Sequence, residues 1–145
     1  MSRRAPVPDR ESEPFWSGLA SHRIVLQACV TCGRHRFPRL PACPHCGAAG
    51  GTDVVVPGTG TVYSWVRAHR DLSGTGSGDR DLPYAIVTVA LDTGPRLVGR
   101  LEPPDRAAIG LPVRPRFVDH PGDPGCPGCP GWTELRFEPD GAEAR

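Results

Sequence analysis

The chain has 145 residues and a formal net charge of +1, and all seventeen of its cationic residues are arginine. That length holds one ordinary domain, or a small core with a metal-stapled appendage, and excludes a large free-standing enzyme. The near-neutral balance gives no electrostatic case for nucleic acid or an anionic membrane as partner.

The opening MSRRAPVPDRESEP has no apolar run of the secretory kind, and no stretch approaches the ~18–20 apolar residues of a membrane span. The expectation is a soluble, cytoplasmic protein. In such a reducing compartment, paired cysteines read as metal ligands rather than disulfides.

In chain order, residues 1–13 are polar, contain Pro6 and Pro8, and read as a disordered tail. A short helix is predicted from Glu13 to Ala20, with Ser12 as N-cap and Pro14 in the first turn. Phe15, Trp16 and Leu19 share one face of it by their spacing. They either pack on this chain's own ribbon or dock on a partner subunit.

A strand over 23–28 leads into Cys29-Val-Thr-Cys32-Gly33, and ten residues later comes Cys43-Pro-His-Cys46-Gly47. Each CxxC-Gly forms a tight knuckle that aims two sulfurs at one point. Two facing knuckles supply four thiolates in a tetrahedron, the geometry of a structural Zn²⁺ with no open coordination position. One structural zinc on Cys29, Cys32, Cys43 and Cys46 is therefore expected, and His35 and His45 are read as bystanders. Between Glu13 and Asp53 the only charged residues are Arg23, Arg34, Arg36 and Arg39, against the formal −2 of a zinc tetrathiolate. They either screen that charge or bind an anion.

From Gly60 the pattern becomes all β. Strands are predicted over 61–69, 83–91, 96–101, 113–118 and 133–138, with one helical turn near 103–108. Pro115 implies an edge or bulged strand. Arg70 to Asp81, with its Gly-rich 72–78 run, reads as a mobile loop and does not match a phosphate-binding GxxxxGK[ST] motif. Five short strands with a helical interruption suggest a Greek-key barrel of the OB type. The predicted organisation is mainly β: tail 1–13, helix plus ribbon 14–52, OB-fold domain 53–139 and tail 140–145.

On the first barrel strand, alternation puts Tyr63, Trp65, Arg67 and His69 on one exposed face and Val62, Val66 and Ala68 on the core face. Cys126-Pro-Gly-Cys129 sits between the last two strands. Three readings stand for it: inert surface cysteines, a labile metal site completed by His120 and Asp119 or Asp123, or a redox or disulfide pair. A second zinc is not expected there. No GxSxG elbow or HExxH motif occurs, and His69 is tied to no nucleophile, so no catalytic residue is assigned.

The runs at 15–19, 25–29, 32–33, 36–39, 43–47, 58–64 and 109–113, in this order and spacing, resemble the bacterial and archaeal zinc-ribbon/OB-fold proteins associated with acyl-CoA enzymes. The resemblance covers roughly residues 13–138. It implies an N-terminal helical segment, a rubredoxin-like ribbon and a C-terminal OB barrel, in an accessory subunit that scaffolds a thiolase-like or hydratase-like partner. It also implies that the partner holds the catalytic residues and that the small protein helps bind acyl-CoA. From the residues themselves, Arg34, Arg36 and Arg39 are candidates for CoA phosphates, and Trp65 and His69 for adenine or a partner surface. Two alternatives remain: a single-stranded nucleic-acid-binding OB module, against which the charge argues, and a redox or metal protein built on Cys126 and Cys129.

Overall fold

A computed structural model describes residues 5–70 and 82–141. The predicted Gly-rich loop at 72–78 and the extreme termini lie outside the described residues.

Helix α1 runs Glu13–Ala20. Residues 9–12, expected to belong to the tail, instead form a turn that leads into it. The Ser12 amide donates to Asp9 Oδ1 at 2.7 Å and the Asp9 amide donates back to Ser12 Oγ at 3.0 Å. Ser12 is the N-cap, but its hydroxyl faces Asp9 rather than the helix amides.

Three strands form the ribbon sheet in the order β2-β1-β3. These are β1 (Ile24–Ala28), β2 (His35–Arg36) and β3 (Thr52–Val56). β3 pairs with the full length of β1, from Ile24↔Val56 to Ala28↔Thr52. The segment from 53, grouped by sequence with the barrel, is therefore part of the ribbon sheet, and the barrel begins at Gly60.

The barrel is closed in the order β4-β5-β6-β8-β7. Its strands are β4 (Gly60–Ala68), β5 (Tyr84–Leu91), β6 (Arg96–Leu101), β7 (Pro112–His120) and β8 (Trp132–Pro139). A 3-10 turn at Pro104–Arg106 stands between β6 and β7. Closure through the parallel pair β6–β8 gives the OB strand order, as predicted. Pro115 is tolerated because β7 pairs with β4 only at Pro112 and Val113, leaving one side of the strand free beyond that point.

One continuous core joins ribbon and barrel. Leu19, Ile24, Leu26 and Val56 cluster with Val62, Val87, Leu97, Leu101, Val113 and Phe137, among others. α1 packs on both β1 and β8. Trp16 meets Trp132 edge-on, with ring centroids 6.4 Å apart, and Phe15 meets Phe37 at 5.0 Å. Beyond the helix end, His22 stacks on Phe117 of β7 and bonds to Asp119 at 3.0 Å.

A bulge overturns the expected faces of β4. Val62 pairs with Val89, but the next pairs are Ser64↔Thr88 and Trp65↔Val87, so Tyr63 is the extra residue. One inserted residue flips every later side chain. Trp65 shares the face of the fully buried Val87, whereas Val66 lies outward, 61% exposed, opposite Ile86. Tyr63 is separated from Trp65 and lies under the Arg96 guanidinium, 3.6 Å from the ring centroid.

Val62→Ala should lower the unfolding free energy by about 1.5–3 kcal/mol, and Val66→Ala should change it by less than about 0.5 kcal/mol. Urea denaturation of the two variants measures the contrast, and equal costs would contradict the bulged register.

Candidate functional site

The two knuckles are near copies. The Gly33 amide donates to Cys29 O at 3.0 Å and the Gly47 amide to Cys43 O at 2.9 Å. Both glycines have left-handed backbone, φ 72° and 77°, which is why each CxxC is followed by Gly. Cys29 and Cys43 are buried; Cys32 and Cys46 are exposed.

The four Sγ atoms lie within 4.8 Å of one another. Cys29–Cys46 and Cys32–Cys43 are each 3.6 Å apart. A Zn–S bond near 2.3 Å requires tetrahedral S···S edges of about 3.8 Å, so the donor set fits zinc. The protonation pattern fits as well. Amides of Cys32 and Thr31 donating to Cys29 Sγ hold its thiol down to about 6. The Ala48 amide acts to lower Cys46, but the Cys29 sulfur beside it, with burial and the other two sulfurs, pushes it up to about 11. Four thiolates this close need a cation to be ionised together. A zinc held by all four sulfurs would close the ribbon and leave no coordination position for a substrate.

The arginines expected to bind CoA do three different things. Arg36 is 5% exposed and lies inside the ribbon. Its Nε donates to Gln27 Oε1 at 2.6 Å and its Nη2 donates to the carbonyls of Leu40 and Gly50. Gln27 Oε1 also accepts the Leu40 amide at 3.0 Å. Arg36 therefore ties the strand β1 to the chain between the knuckles and is not a surface contact. Arg39 is ion-paired with Asp53 and lies 3.8 Å from Glu11. Arg34 stays exposed, and its Nη1 donates to His45 Nδ1 at 2.8 Å.

The helix residues pack on this chain, while the same residues line a surface groove. Leu19 is fully buried in the shared core, and Phe15 and Trp16 pack against that core. They cover this chain's own ribbon and barrel. Trp65 is 38% exposed, on the core-facing side of β4, and His69 is exposed just past the strand end.

Cys126 and Cys129 are joined to each other by a disulfide. His120, Asp119 and Asp123, considered as further metal ligands, are engaged elsewhere, Asp123 Oδ1 accepting the Gly125 amide at 2.9 Å. His120 bonds to Glu134 at 2.7 Å and stacks on Trp132, and Asp119 accepts from Thr133 Oγ1 at 2.7 Å and contacts His22. Among the described residues, the four ribbon cysteines are the one group close enough to hold a metal.

A buried ionic network on the barrel flank was not read from the sequence. Arg136, 8% exposed, bridges Glu102 and Glu134. Arg116 pairs with Glu102 at 2.8 Å, and Arg100 lies 4.0 Å from Glu134. The one signal for it is the alternation Glu134, Arg136, Glu138 along β8. No helix among the described residues is long and apolar enough to cross a membrane.

Cys43→Ser should abolish stoichiometric zinc and collapse the amide spectrum of residues 24–56. The cobalt-substituted parent should show the absorption bands of a tetrahedral thiolate site. A Cys43→Ser protein that keeps one zinc and a native ribbon spectrum would contradict this assignment.

Comparison with known proteins also separates a ribbon from an OB-fold part, with the ribbon match ending before β3. Residues 16–50 match the ChsH2 rubredoxin-like zinc ribbon domain, and residues 53–118 match the ChsH2 C-terminal OB-fold domain. A probable enoyl-CoA hydratase alpha subunit of Thermomonospora curvata is 35% identical over 113 residues, 77% of this chain. The 3-oxo-4,17-pregnadiene-20-carboxyl-CoA hydratase alpha subunit of Mycobacterium tuberculosis is 33% identical over 138 residues, 93% of this chain. The chain spans 34% and 40% of the lengths of those two proteins. Among solved structures, the Ltp2-ChsH2(DUF35) aldolase contains a chain with a TM-score of 0.73 and 32% identity, matched over 93% of this chain and 98% of that one. A DUF35-family protein of unknown function from Sulfolobus solfataricus, 20% identical with a TM-score of 0.59 over 90% of this chain and 86% of that one, shares the fold. With its cysteine knuckles, strand order and near-complete match to the ChsH2 chain, this protein belongs to the ChsH2 family of zinc-ribbon/OB-fold proteins.

Proposed function

We propose that the chain is a non-catalytic accessory subunit of an acyl-CoA-processing complex. It scaffolds a thiolase-like or hydratase-like subunit and helps bind the acyl-CoA. The observation that carries this reading is the match over 98% of the ChsH2 chain in an aldolase named for two components, Ltp2 and ChsH2. The two curated relatives, both named as alpha subunits of CoA-ester hydratases, point the same way.

The surface supports it. Most of the conspicuous polar side chains are spent on holding the chain together: Arg36 inside the ribbon, Arg39 on Asp53, Arg136 between two glutamates. Apolar side chains are also left uncovered. Val66 and Val98 are 61% and 63% exposed on the outer face of β4-β5-β6. Ile86 lies between their strands on that face, beside a groove of about 280 Å³ that Trp16 and Trp132 also line. A partner subunit covering this face would remove it from water.

Co-expression with the thiolase-like or hydratase-like subunits of the same genome should yield a stable complex. Val66→Asp combined with Val98→Asp should weaken assembly more than tenfold while zinc content and the circular dichroism spectrum stay unchanged. A parent chain that elutes alone beside every such subunit would sink the proposal.

A further inference from the structure

Between the ribbon and the β5–β6 turn lies a cleft of about 520 Å³. Three of its lining side chains carry a buried polar atom with no hydrogen-bond partner: His35 Nδ1, Arg36 Nη1 and Thr93 Oγ1. The other nitrogens of Arg36 are committed to Gln27, Leu40 and Gly50, so the unmet capacity belongs to the nitrogen left over. A guanidinium N–H kept from both water and a partner is costly, and such groups in native proteins call for an explanation.

The rest of the cleft points to the missing partner. Arg34 and His45 line it, and no carboxylate does. Because a guanidinium has only donors, His45 Nδ1 accepts the bond from Arg34, which leaves the proton on Nε2 as a further donor. The site therefore presents two arginines, an imidazole N–H and a hydroxyl, with Phe37, Pro44 and Pro95 as apolar walls. That combination suits an oxyanion attached to a flat or apolar body. The volume is in the range of small-molecule sites and larger than one side chain needs.

We propose that this cleft binds the phosphate end of a nucleotide-like ligand, with phosphoryl oxygens taken by Arg34, Arg36 and Thr93. The unpartnered atoms are shut off from water, so the ligand reaches them by moving a covering side chain. Arg34, exposed and bonded to His45 alone among the described residues, is the one free to move. The inference rests on the acyl-CoA part of the proposed function only for the identity of the natural ligand.

The test uses the full zinc-loaded chain without any partner, titrated with ADP and with adenosine and followed by calorimetry and the imidazole resonances of His35 and His45. ADP should bind, perturb both histidines and weaken as salt rises, with adenosine at least tenfold weaker. Arg34→Glu should cost at least tenfold in ADP affinity. Thr93→Val, on a turn outside the ribbon, should cost about fivefold or more with zinc and fold intact. No ADP binding at millimolar concentration, equal binding of ADP and adenosine, or a zinc-loaded Thr93→Val chain that binds like the parent would each overturn the proposal. Partner assembly is measured separately by co-purification, so a chain that assembles but ignores ADP refutes the cleft and leaves the scaffolding role standing.

Discussion

Four thiols within 4.8 Å of one another repel as thiolates until a cation joins them. Most of the ribbon follows from that requirement. Chelation would hold the two knuckles face to face, and the knuckles flank β1 and β2 at the register Gln27↔Arg36 and Ala28↔His35. With β1 in place, β3 has an edge to pair with, α1 has an apolar surface to cover, and Arg36 has the Gln27 acceptor that makes its burial tolerable. The stabilisation available is large, about 10–16 kcal/mol for structural zinc in small fingers. β2 is only two residues long, and beyond its ladder to β1 it is tied there by the Arg36–Gln27 bond.

The parts legible in the sequence are those that short-range chemistry specifies. CxxC-Gly repeated at a ten-residue interval names its metal and its turn. The β-branched runs after Gly60 name the barrel strands to within a residue or two, and Pro115 announces a strand with one free side. What escaped was set by a single backbone event or by three-dimensional packing. Alternation along β4 assumed an unbroken pleat, and the bulge at Tyr63 exchanged the roles of Trp65 and Val66. Arg36 looks like Arg34 and Arg39 in sequence, and only the fold shows that one of the three is enclosed by carbonyls and a glutamine. The aromatic helix left self-packing and partner docking both open, because spacing identifies a buried face without saying what buries it.

The barrel flank shows the same limit. Glu134 and Arg136 lie on β8 and Glu102 just past the end of β6, some thirty residues earlier, and the parallel pairing of β6 with β8 brings them together. Breaking one member of such a set leaves a buried charge uncompensated, which is costly even where the intact network contributes little. The network therefore constrains which residues can change independently, and its Arg100 and Glu134 line the groove beside Trp16 and Trp132.

Gly58 marks where ribbon and barrel meet. With φ at 78°, a Cβ there would lie 2.3 Å from Ile24 Cδ1 of β1 and 3.0 Å from Pro115 Cγ of β7. The linker is a wedge between the two sheets rather than a tether. Since β3 is the last strand of the ribbon sheet, the chain changes modules at 57–59 and not at the domain boundary of 52/53 read from the sequence. A chimaera that exchanged barrels between homologues at residue 52 would cut through a sheet and separate β3 from its partner. One joined at 57–59 would keep both sheets whole but would inherit the demand that three residues from different elements fit one another. Recombination and design in this fold therefore have a narrow seam, set by shape rather than by sequence composition.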